Sequence, residues 1–346
     1  MRGKFAFLVV FLLLFSVSTP LISPVTSSTS FSDRPLEIKT PSFNIIIEKQ
    51  PWRLHVFDKR GGLIVEESRV PDVRYRPLSF YLDGWHFVKE VESYSREGEV
   101  YRFKCKTSGN MKAYVVLSVS DYGFNLKFLA PRKSKMVSES LTSASGSNRF
   151  YGFGERFNSL DQRGNTLEMW NMDPPKTFGT STYVSVPFFM DLRNDKEGIS
   201  CYGIYLNSST KSQFKMCSDL MKDYQIVAES NTLEYHFIYG EDMKEVLSRY
   251  TGLTGRPALP PRWVFGPWKS RDAHYSEKDV YEDVNMMRRL DIPMSVLVID
   301  SPWDTAFNDF EFNPKQFPNA QEMIDYIHGM GNKLVLWITP FTNVRS

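Results

Sequence analysis

Polar residues that could hold a ligand follow apolar stretches in the C-terminal third of the sequence. Asp300 is the sharpest of them, because this carboxylate directly follows the apolar run Met294–Ile299 and precedes Ser301-Pro302-Trp303. A charge at the end of a buried strand must be hydrated or hydrogen-bonded, and sugar hydroxyl groups are suitable donors. The sequence therefore indicates a site for a hydroxyl-rich ligand, with a loop-ordering or helix-capping role for Asp300 as the alternative.

The neighbouring polar residues leave more than one interpretation open. Arg271 and Asp272 form either a binding pair or a local ion pair, and His274 could be a base or an incidental loop residue. Trp303 could present its indole ring to a sugar or pack within its own loop. These alternatives differ in where the side chains point, which the sequence does not decide.

Three apolar strands separated by amphipathic helices must position these residues. The predicted strands are Trp263–Gly266, Met294–Ile299 and Lys333–Ile338. Helices are predicted to begin near Ser276, with Asp279 completing a capping box, and near Asn319. Strands without alternation of apolar and polar residues are typical of a parallel sheet. In such folds ligands bind beyond the carboxyl ends of the strands.

Residues 33–245 have a different pattern, in which apolar and polar residues alternate over many short segments. Examples are Phe43–Ile47, Tyr114–Leu117 and Tyr235–Tyr239, with Gly, Asp, Asn and Pro between such segments. This alternation predicts an antiparallel β-sandwich. The stretch Tyr151–Phe189 lacks the alternation and is expected to be a long irregular loop, of the kind that often carries function.

Composition excludes several classes of protein. The 346 residues are 42% hydrophobic and 14% aromatic, include 3 Cys, and carry a formal net charge of +2. Two globular domains are the natural expectation for this length, whereas a disulfide scaffold or a disordered chain is not. Nucleic-acid binding would need an excess of basic residues on one face. No metal-ligand spacing or cofactor motif is present, so neither a metal nor an organic cofactor is expected.

The N-terminal residues have the pattern of a secretion signal. Arg2 and Lys4 precede the apolar run Phe5–Phe15, and a stretch rich in Ser, Thr and Pro follows. The run is shorter than the roughly 20 residues that a membrane-spanning helix needs. We predict a signal peptide at residues 1–28 and a secreted or extracytoplasmic protein. Retention of this segment as an uncleaved anchor would be the one route to membrane association.

Several motifs occur together over most of residues 150–340. They are Tyr151–Phe157, Leu160–Gly164, Trp170–Asp173, Pro260–Trp263 running on to Arg271, Val298–Asp300, Phe310–Asn313 and Phe317–Pro318. Each motif alone is weak, and their combination is specific. In order and spacing they resemble glycoside hydrolase family 31, the α-glucosidase and α-xylosidase family.

The resemblance implies a galactose-mutarotase-like β-sandwich followed by a (β/α)8 TIM barrel that hydrolyses α-linked glycosides with retention. The sandwich would span residues 33–245, and residues 246–346 would form only the first three βα units of an incomplete barrel. The loop around Asp173 would reach the −1 sugar pocket, Asp300 would hold sugar hydroxyls and Arg271 would lie beside the pocket. The partner would be an α-linked oligosaccharide or glycoside, and this chemistry needs no cofactor.

Two departures from the family pattern bear on which sugar is bound. Asp272 stands where the family commonly has Trp, and Thr339 stands where the third strand usually ends in a sugar-binding Asp. A hydroxyl group thus replaces an ionised acceptor, although charge-assisted hydrogen bonds are the stronger ones. These departures speak against a plain α-glucosidase and leave a galactoside, a xyloside or another α-linked sugar open as the substrate.

The resemblance also places the catalytic pair outside this sequence. Retaining glycosidases use two carboxyl groups about 5–5.5 Å apart, and the family carries its nucleophile after the fourth strand and its acid/base further on. Both positions would lie beyond Ser346, so this chain alone is expected to be inactive. A non-catalytic carbohydrate-binding protein and an inactive gene fragment are the alternatives.

Overall fold

The computed structural model describes residues 34–143, 146–172, 181–195 and 198–339. The chain divides into two units, Met1–Gly255 and Arg256–Ser346. The boundary expected after residue 245 falls inside a helix of the first unit, because Val246 of that helix is buried against Phe188 and Ile238. The predicted signal segment 1–28 lies outside the described residues.

The described part of the first unit contains seventeen strands that form antiparallel sheets. Their bounds are β1 Leu36–Lys39, β2 Phe43–Lys49, β3 Trp52–Asp58, β4 Leu63–Glu67, β5 Ser79–Tyr81, β6 Trp85–Glu97, β7 Val100–Thr107, β8 Lys112–Ser120, β9 Gly123–Leu129, β10 Met136–Ser143, β11 Arg149–Gly154, β12 Thr166–Met169, β13 Ser185–Asp195, β14 Gly198–Leu206, β15 Ser212–Lys215, β16 Asp223–Ala228 and β17 Thr232–Gly240.

These strands pair into two sheets that share one long strand. The first sheet has the order β1-β2-β3-β4-β10-β16-β15-β12, and β5 pairs with β10 beside β4. The second has the order β6-β7-β8-β9-β17-β14-β13-β11. Strand β6 begins beside β5 in the first sheet and continues beside β7 in the second.

The core lies between the two sheets and is rich in aromatic rings. Alternate residues of β2 and of β8 are buried, which is the period-2 pattern seen in the sequence. Rings then meet across the interface, with centroids 5.8 Å apart for Phe43 and Phe237 and 5.4 Å apart for Trp52 and Phe103. This arrangement is the antiparallel β-sandwich predicted from the alternation.

The structure corrects the prediction that Tyr151–Phe189 is irregular throughout. Strand β11 covers the start of this stretch, β12 crosses its middle and β13 begins at Ser185. Both β11 and β12 find partners that are distant in sequence, β13 and β15 respectively. These short segments, of which β11 is interrupted by two glycines, therefore become strands through pairing, which local alternation does not reveal.

Helix α1 Met243–Thr254 follows β17 in the first unit. The carboxylate of Asp242 accepts a hydrogen bond from the backbone N–H of Glu245 at 2.8 Å, which caps the helix. The ring of Tyr250 stacks on Phe188 of β13 with centroids 3.8 Å apart. Val246 and Tyr250 therefore attach the helix to the second sheet.

Replacement of the cap, Asp242→Ala, is expected to lower the free energy of unfolding by about 1 kcal/mol, because the N–H of Glu245 loses its acceptor. Urea unfolding followed by circular dichroism measures this cost. Asp242→Ser retains an acceptor oxygen and is expected to stay within a few tenths of a kcal/mol of wild type. Equal losses in both variants would show that the cap is not the cause.

The second unit has parallel strands separated by helices. Its strands are β18 Trp268–Arg271, β19 Val296–Ile299 and β20 Lys333–Leu336, and its helices are α2 Glu277–Arg289 and α3 Ala320–Gly329. The strands lie in the order β18-β19-β20 and all pairs are parallel. Helix α2 begins as predicted, since the carboxylate of Asp279 accepts the N–H of Ser276 at 3.0 Å.

The first predicted strand of this unit is displaced. Residues Arg262–Phe265 form a turn of 3-10 helix, and the strand begins only at Trp268. After Pro261 the chain closes local hydrogen bonds, with the N–H of Val264 donating to the carbonyl of Pro261 at 3.0 Å. Short apolar runs fit either a strand or a helical turn, and here the chain forms a local hydrogen-bonded turn.

Over the residues described, no helix is both long and apolar enough to cross a bilayer.

Candidate functional site

The register of the second unit's sheet determines which strand-end side chains share a face. Leu297 and Ile299 of β19 pack with Leu334 and Leu336 of β20 in the core that contains both helices. Arg271 is paired with Ile299, and paired residues point to the same face of a sheet. Arg271 is therefore turned towards the helices.

Asp272 and Asp300 follow the carboxyl ends of two neighbouring parallel strands. Each lies one residue beyond the last paired position of its strand, Arg271 on β18 and Ile299 on β19. Asp300 is partly buried, and its Oδ1 accepts the backbone N–H of Ser301 at 2.7 Å, whereas Asp272 is exposed. The structure thus brings two predicted site residues to one edge of the sheet, with carboxylate oxygens available to donors.

Thr339 is connected to this edge by an asparagine that the sequence analysis missed. The side chain of Asn308 donates to the carbonyl of Thr339 at 2.8 Å and accepts the N–H of Thr339 at 3.1 Å. This reciprocal pair ties the loop after β19 to the chain that follows β20. Asn308 has a positive φ of 64°, which Asn tolerates better than most residues. The sequence feature that could have indicated Asn308 is its position in a polar loop.

Trp303 is packed inside its loop. Only 1% of the residue is exposed, and its indole N–H donates to the carbonyl of Trp337 at 2.7 Å. Its ring lies against Phe312, with centroids 5.0 Å apart. Of the two interpretations of Trp303, the structure shows loop packing, because the faces of the indole are covered by protein.

Arg271 forms ion pairs with helix α2 rather than with Asp272. Its Nη2 lies 2.5 Å from Oδ1 of Asp283 and its Nε lies 3.2 Å from Oδ2, so the contact is bidentate. Asp279 and Glu282 add carboxylate oxygens at 3.7 and 3.8 Å. The guanidinium group is therefore occupied by acidic residues of the same unit.

Asp283 is a second residue that the sequence analysis missed. Its carboxylate also accepts Lys269 Nζ at 3.0 Å and His274 Nε2 at 3.0 Å. Burial raises the pKa of Asp283, but the hydrogen bonds from Arg271, Lys269 and His274 outweigh burial and leave the pKa below its usual value. The sequence feature that could have indicated Asp283 is its position beside Val284, where an acidic residue falls on the apolar face of α2.

In the first unit, the residues before Asp173 are hydrogen-bonded to the chain that enters β13. Asp173 itself lies outside the described residues. The side-chain carbonyl of Asn171 accepts the backbone N–H of Ser185 at 2.8 Å, and Trp170 is 49% exposed. These three residues and the segment 208–210 border a cavity of about 300 Å³.

The glycine-rich motif at residues 151–157 supports this region by close packing. Gly154 has a φ of +83°, and a Cβ there would lie 2.0 Å from the carbonyl oxygen of Val184. The guanidinium group of Arg156 donates to the carbonyls of Phe153 and Glu168, each at 3.0 Å. Burial lowers the pKa of Arg156 to about 10. The motif therefore has a structural role, holding β11 and β12 beside the chain that enters β13.

The described residues contain no group of three or more His, Cys, Asp or Glu side chains arranged to hold a metal ion. The three cysteines, Cys105, Cys201 and Cys217, are unpaired thiols in this part of the chain.

Comparison with known families identifies both units. Residues 14–214 match the family model described as the glycosyl hydrolase 31 N-terminal galactose mutarotase-like domain. Residues 257–346 match the model for the glycosyl hydrolases family 31 TIM-barrel domain. A mutarotase-like β-sandwich followed by TIM-barrel sequence defines the class of the protein as glycoside hydrolase. The chain belongs to glycoside hydrolase family 31.

The relatives and solved structures that the chain resembles include an alpha-glucosidase, an alpha-xylosidase and a dextranase. The chain is 26% identical over 319 residues to alpha-glucosidase 2 of Bacillus thermoamyloliquefaciens, covering 91% of this chain and 32% of the relative. It is 33% identical over 202 residues to alpha-xylosidase XylQ of Lactiplantibacillus pentosus, covering 57% and 26%. A dextranase of Flavobacterium johnsoniae, solved with glucose, shares the fold with a TM-score of 0.61 at 22% identity, covering 90% and 30%. The chain thus spans about a third or less of the length of these relatives.

Proposed function

We propose that this chain is the N-terminal part of a retaining α-glycosidase, in which the second unit supplies the first three βα units of a (β/α)8 barrel. The family match and the names of the relatives, an alpha-glucosidase and an alpha-xylosidase, support this class of reaction. The parallel order β18-α2-β19-α3-β20 supports the barrel.

Asp300 is the residue that we assign to sugar binding, and its position carries the proposal. It directly follows β19, at the edge of the sheet where barrel enzymes bind ligands. One of its oxygens accepts Ser301, which leaves acceptor capacity for sugar hydroxyl groups. The family resemblance assigns this position to substrate binding rather than to the nucleophile. Asp173 and Asp272 are proposed to contribute further acceptors.

Asp300→Asn is expected to weaken sugar binding at least tenfold, because a neutral amide replaces a charged acceptor of nearly equal size. Titration calorimetry of the chain with methyl α-glucoside and with methyl α-xyloside measures the affinity. Asp325→Asn is the matched control, since Asp325 is exposed on α3, and it is expected to bind like wild type. Equal binding by Asp300→Asn and wild type, or no saturable binding by wild type, would refute the assignment.

The same protein tests whether this chain catalyses hydrolysis. We expect no turnover of aryl α-glycosides, because the family resemblance assigns no residue of this sequence to the catalytic pair. Binding without turnover also fits the alternative of a carbohydrate-binding protein, which turnover would exclude. Turnover that disappears in Asp300→Asn would contradict the expected inactivity.

We also propose that the protein is exported, on the basis of Arg2, Lys4 and the apolar run Phe5–Phe15. N-terminal sequencing of the protein from the expressing cells tests this. A mature N-terminus near residue 28 supports export, and an intact Met1 on intracellular protein refutes it.

A further inference from the structure

We propose that Asp283 of helix α2 is a positioning residue for the sugar-binding edge of the sheet. Its carboxylate fixes the segment that carries Asp272 by holding the residues on either side of it. This inference rests on the proposed sugar site for its functional meaning, but the positioning itself can be measured without sugar.

The first observation is the placement of an acidic residue in an apolar stripe. Asp283 is 6% exposed and lies between the buried residues Val280 and Val284 of α2. Burial of a carboxylate is unfavourable unless donors surround it. Replacement of a buried ion pair by apolar residues is often neutral or stabilising, so an apolar residue could serve the packing of this helix. The acidic residue therefore calls for a role besides helix packing.

The second observation is the origin of the donors. Lys269 and Arg271 belong to β18, whereas His274 belongs to the segment that follows the strand. Arg271 and His274 thus bracket Asp272 and Ala273, and one carboxylate holds both ends of this short stretch. Because Asp283 holds both bracketing side chains, the backbone that carries Asp272 is restrained on either side, and Asp272 itself is exposed.

The third observation is the state of His274, which is fully buried. An ionised carboxylate can only accept hydrogen bonds, so Nε2 of His274 carries the proton that is donated to Asp283. Nδ1 has no hydrogen-bond partner. Burial lowers the pKa of His274, and the hydrogen bond and charge of the Asp283 carboxylate oppose this decrease. The positive charges of Arg271 and Lys269 lower the pKa further. The lowered pKa favours the neutral ring, and the hydrogen bond to Asp283 selects the tautomer with the proton on Nε2.

Asp283→Asn, made in the whole chain, tests the proposal. The amide cannot act as an acceptor for three donors at once, so the segment 272–275 is expected to loosen. Hydrogen exchange at these backbone amides should accelerate at least tenfold, and the ring-nitrogen NMR signals of His274 should no longer show one Nε2–H tautomer. Affinity for methyl α-glucoside, or for the methyl α-xyloside if that binds better, should fall about tenfold.

Glu282→Gln is the matched control, because Glu282 lies beside Asp283 and contacts the same Arg271 at 3.8 Å, but is exposed. Glu282→Gln should leave the rates of amide exchange and the sugar affinity within twofold of wild type. The tautomer of His274 should be unchanged. Should Asp283→Asn not fold, Arg271→Lys keeps the charge and loses the bidentate contact, and it should accelerate exchange at the same amides.

The outcomes separate this proposal from the proposed function. Unchanged exchange and an unchanged His274 tautomer in Asp283→Asn would overturn the positioning role, whatever the sugar affinity. Altered exchange with unchanged affinity would also overturn it, since the segment would then not matter for binding. Altered exchange in a chain whose wild type binds no sugar would instead refute the sugar site and leave Asp283 as a purely structural group.

Discussion

Phe189→Ala is expected to lower the free energy of unfolding of the first unit by about 3–5 kcal/mol. Phe189 is fully buried on β13. Its ring lies 5.2–6.0 Å, between centroids, from the rings of Phe150, Phe153, Phe214 and Tyr224. These four rings come from both sheets, so their backbones cannot move in to fill the space. The variant therefore leaves a cavity between the sheets.

Urea unfolding followed by circular dichroism measures this loss. Phe157→Ala is the matched control, because Phe157 belongs to the same unit and is 51% exposed, and its cost is expected to be about 1 kcal/mol or less. A similar cost for both variants would mean that the rings around Phe189 repack.

Phe189→Ala should also loosen the chain beside Trp170. The reason is that β13, which carries Phe189, begins at Ser185, and the backbone N–H of Ser185 is hydrogen-bonded to Asn171.

The second large effect is expected in the pH dependence of stability, and Asp191 is its source. This residue of β13 is 1% exposed. Its carboxylate accepts the hydroxyl of Tyr202 at 2.6 Å and the amide of Asn148 at 2.5 Å, and Tyr202 in turn contacts the hydroxyl of Tyr224 at 3.0 Å. Burial raises the pKa of Asp191 to about 7, although the two hydrogen bonds oppose the rise.

A carboxyl group with a raised pKa in the folded state favours folding at low pH. Below the ordinary value of 3.8, Asp191 is protonated in both the folded and the unfolded chain. Between that value and about 7 only the unfolded chain releases the proton, so the free energy of unfolding falls by as much as about 1.4 kcal/mol per pH unit. Above pH 7 both states are ionised and the contribution of Asp191 is constant.

Asp191→Asn removes this titration and is expected to flatten the stability profile between pH 4 and 7. Between pH 4 and pH 7 the free energy of unfolding of the variant should rise by about 4 kcal/mol relative to that of wild type. The structure can accept the amide, since the hydroxyl of Tyr202 can turn towards Tyr224. Unfolding by urea at several pH values measures the effect, with Asp121→Asn, in an exposed turn, as the control. Parallel profiles for Asp191→Asn and wild type would contradict the raised pKa.

The architecture of both units follows from patterns in the sequence, because one-sided burial is a local consequence of residue spacing. Alternation in β2 and β8 predicted strands with one buried face, and the structure shows that face in the core. The capping box of Ser276 and Asp279 predicted the start of α2 to the residue. Such signals depend only on neighbours within a few positions, and they were read correctly without a partner strand or helix.

The site depends on non-local geometry, and there the sequence alone was incomplete. The motifs identified family 31 and selected Asp300, since a carboxylate after an apolar run is visible in sequence. Only the tertiary structure showed that Arg271 faces helix α2, because its direction is set by the register of β18 against β19. The role of Asp283 was hidden for the same reason. Its donors Lys269, Arg271 and His274 come near it only when strand and helix pack together.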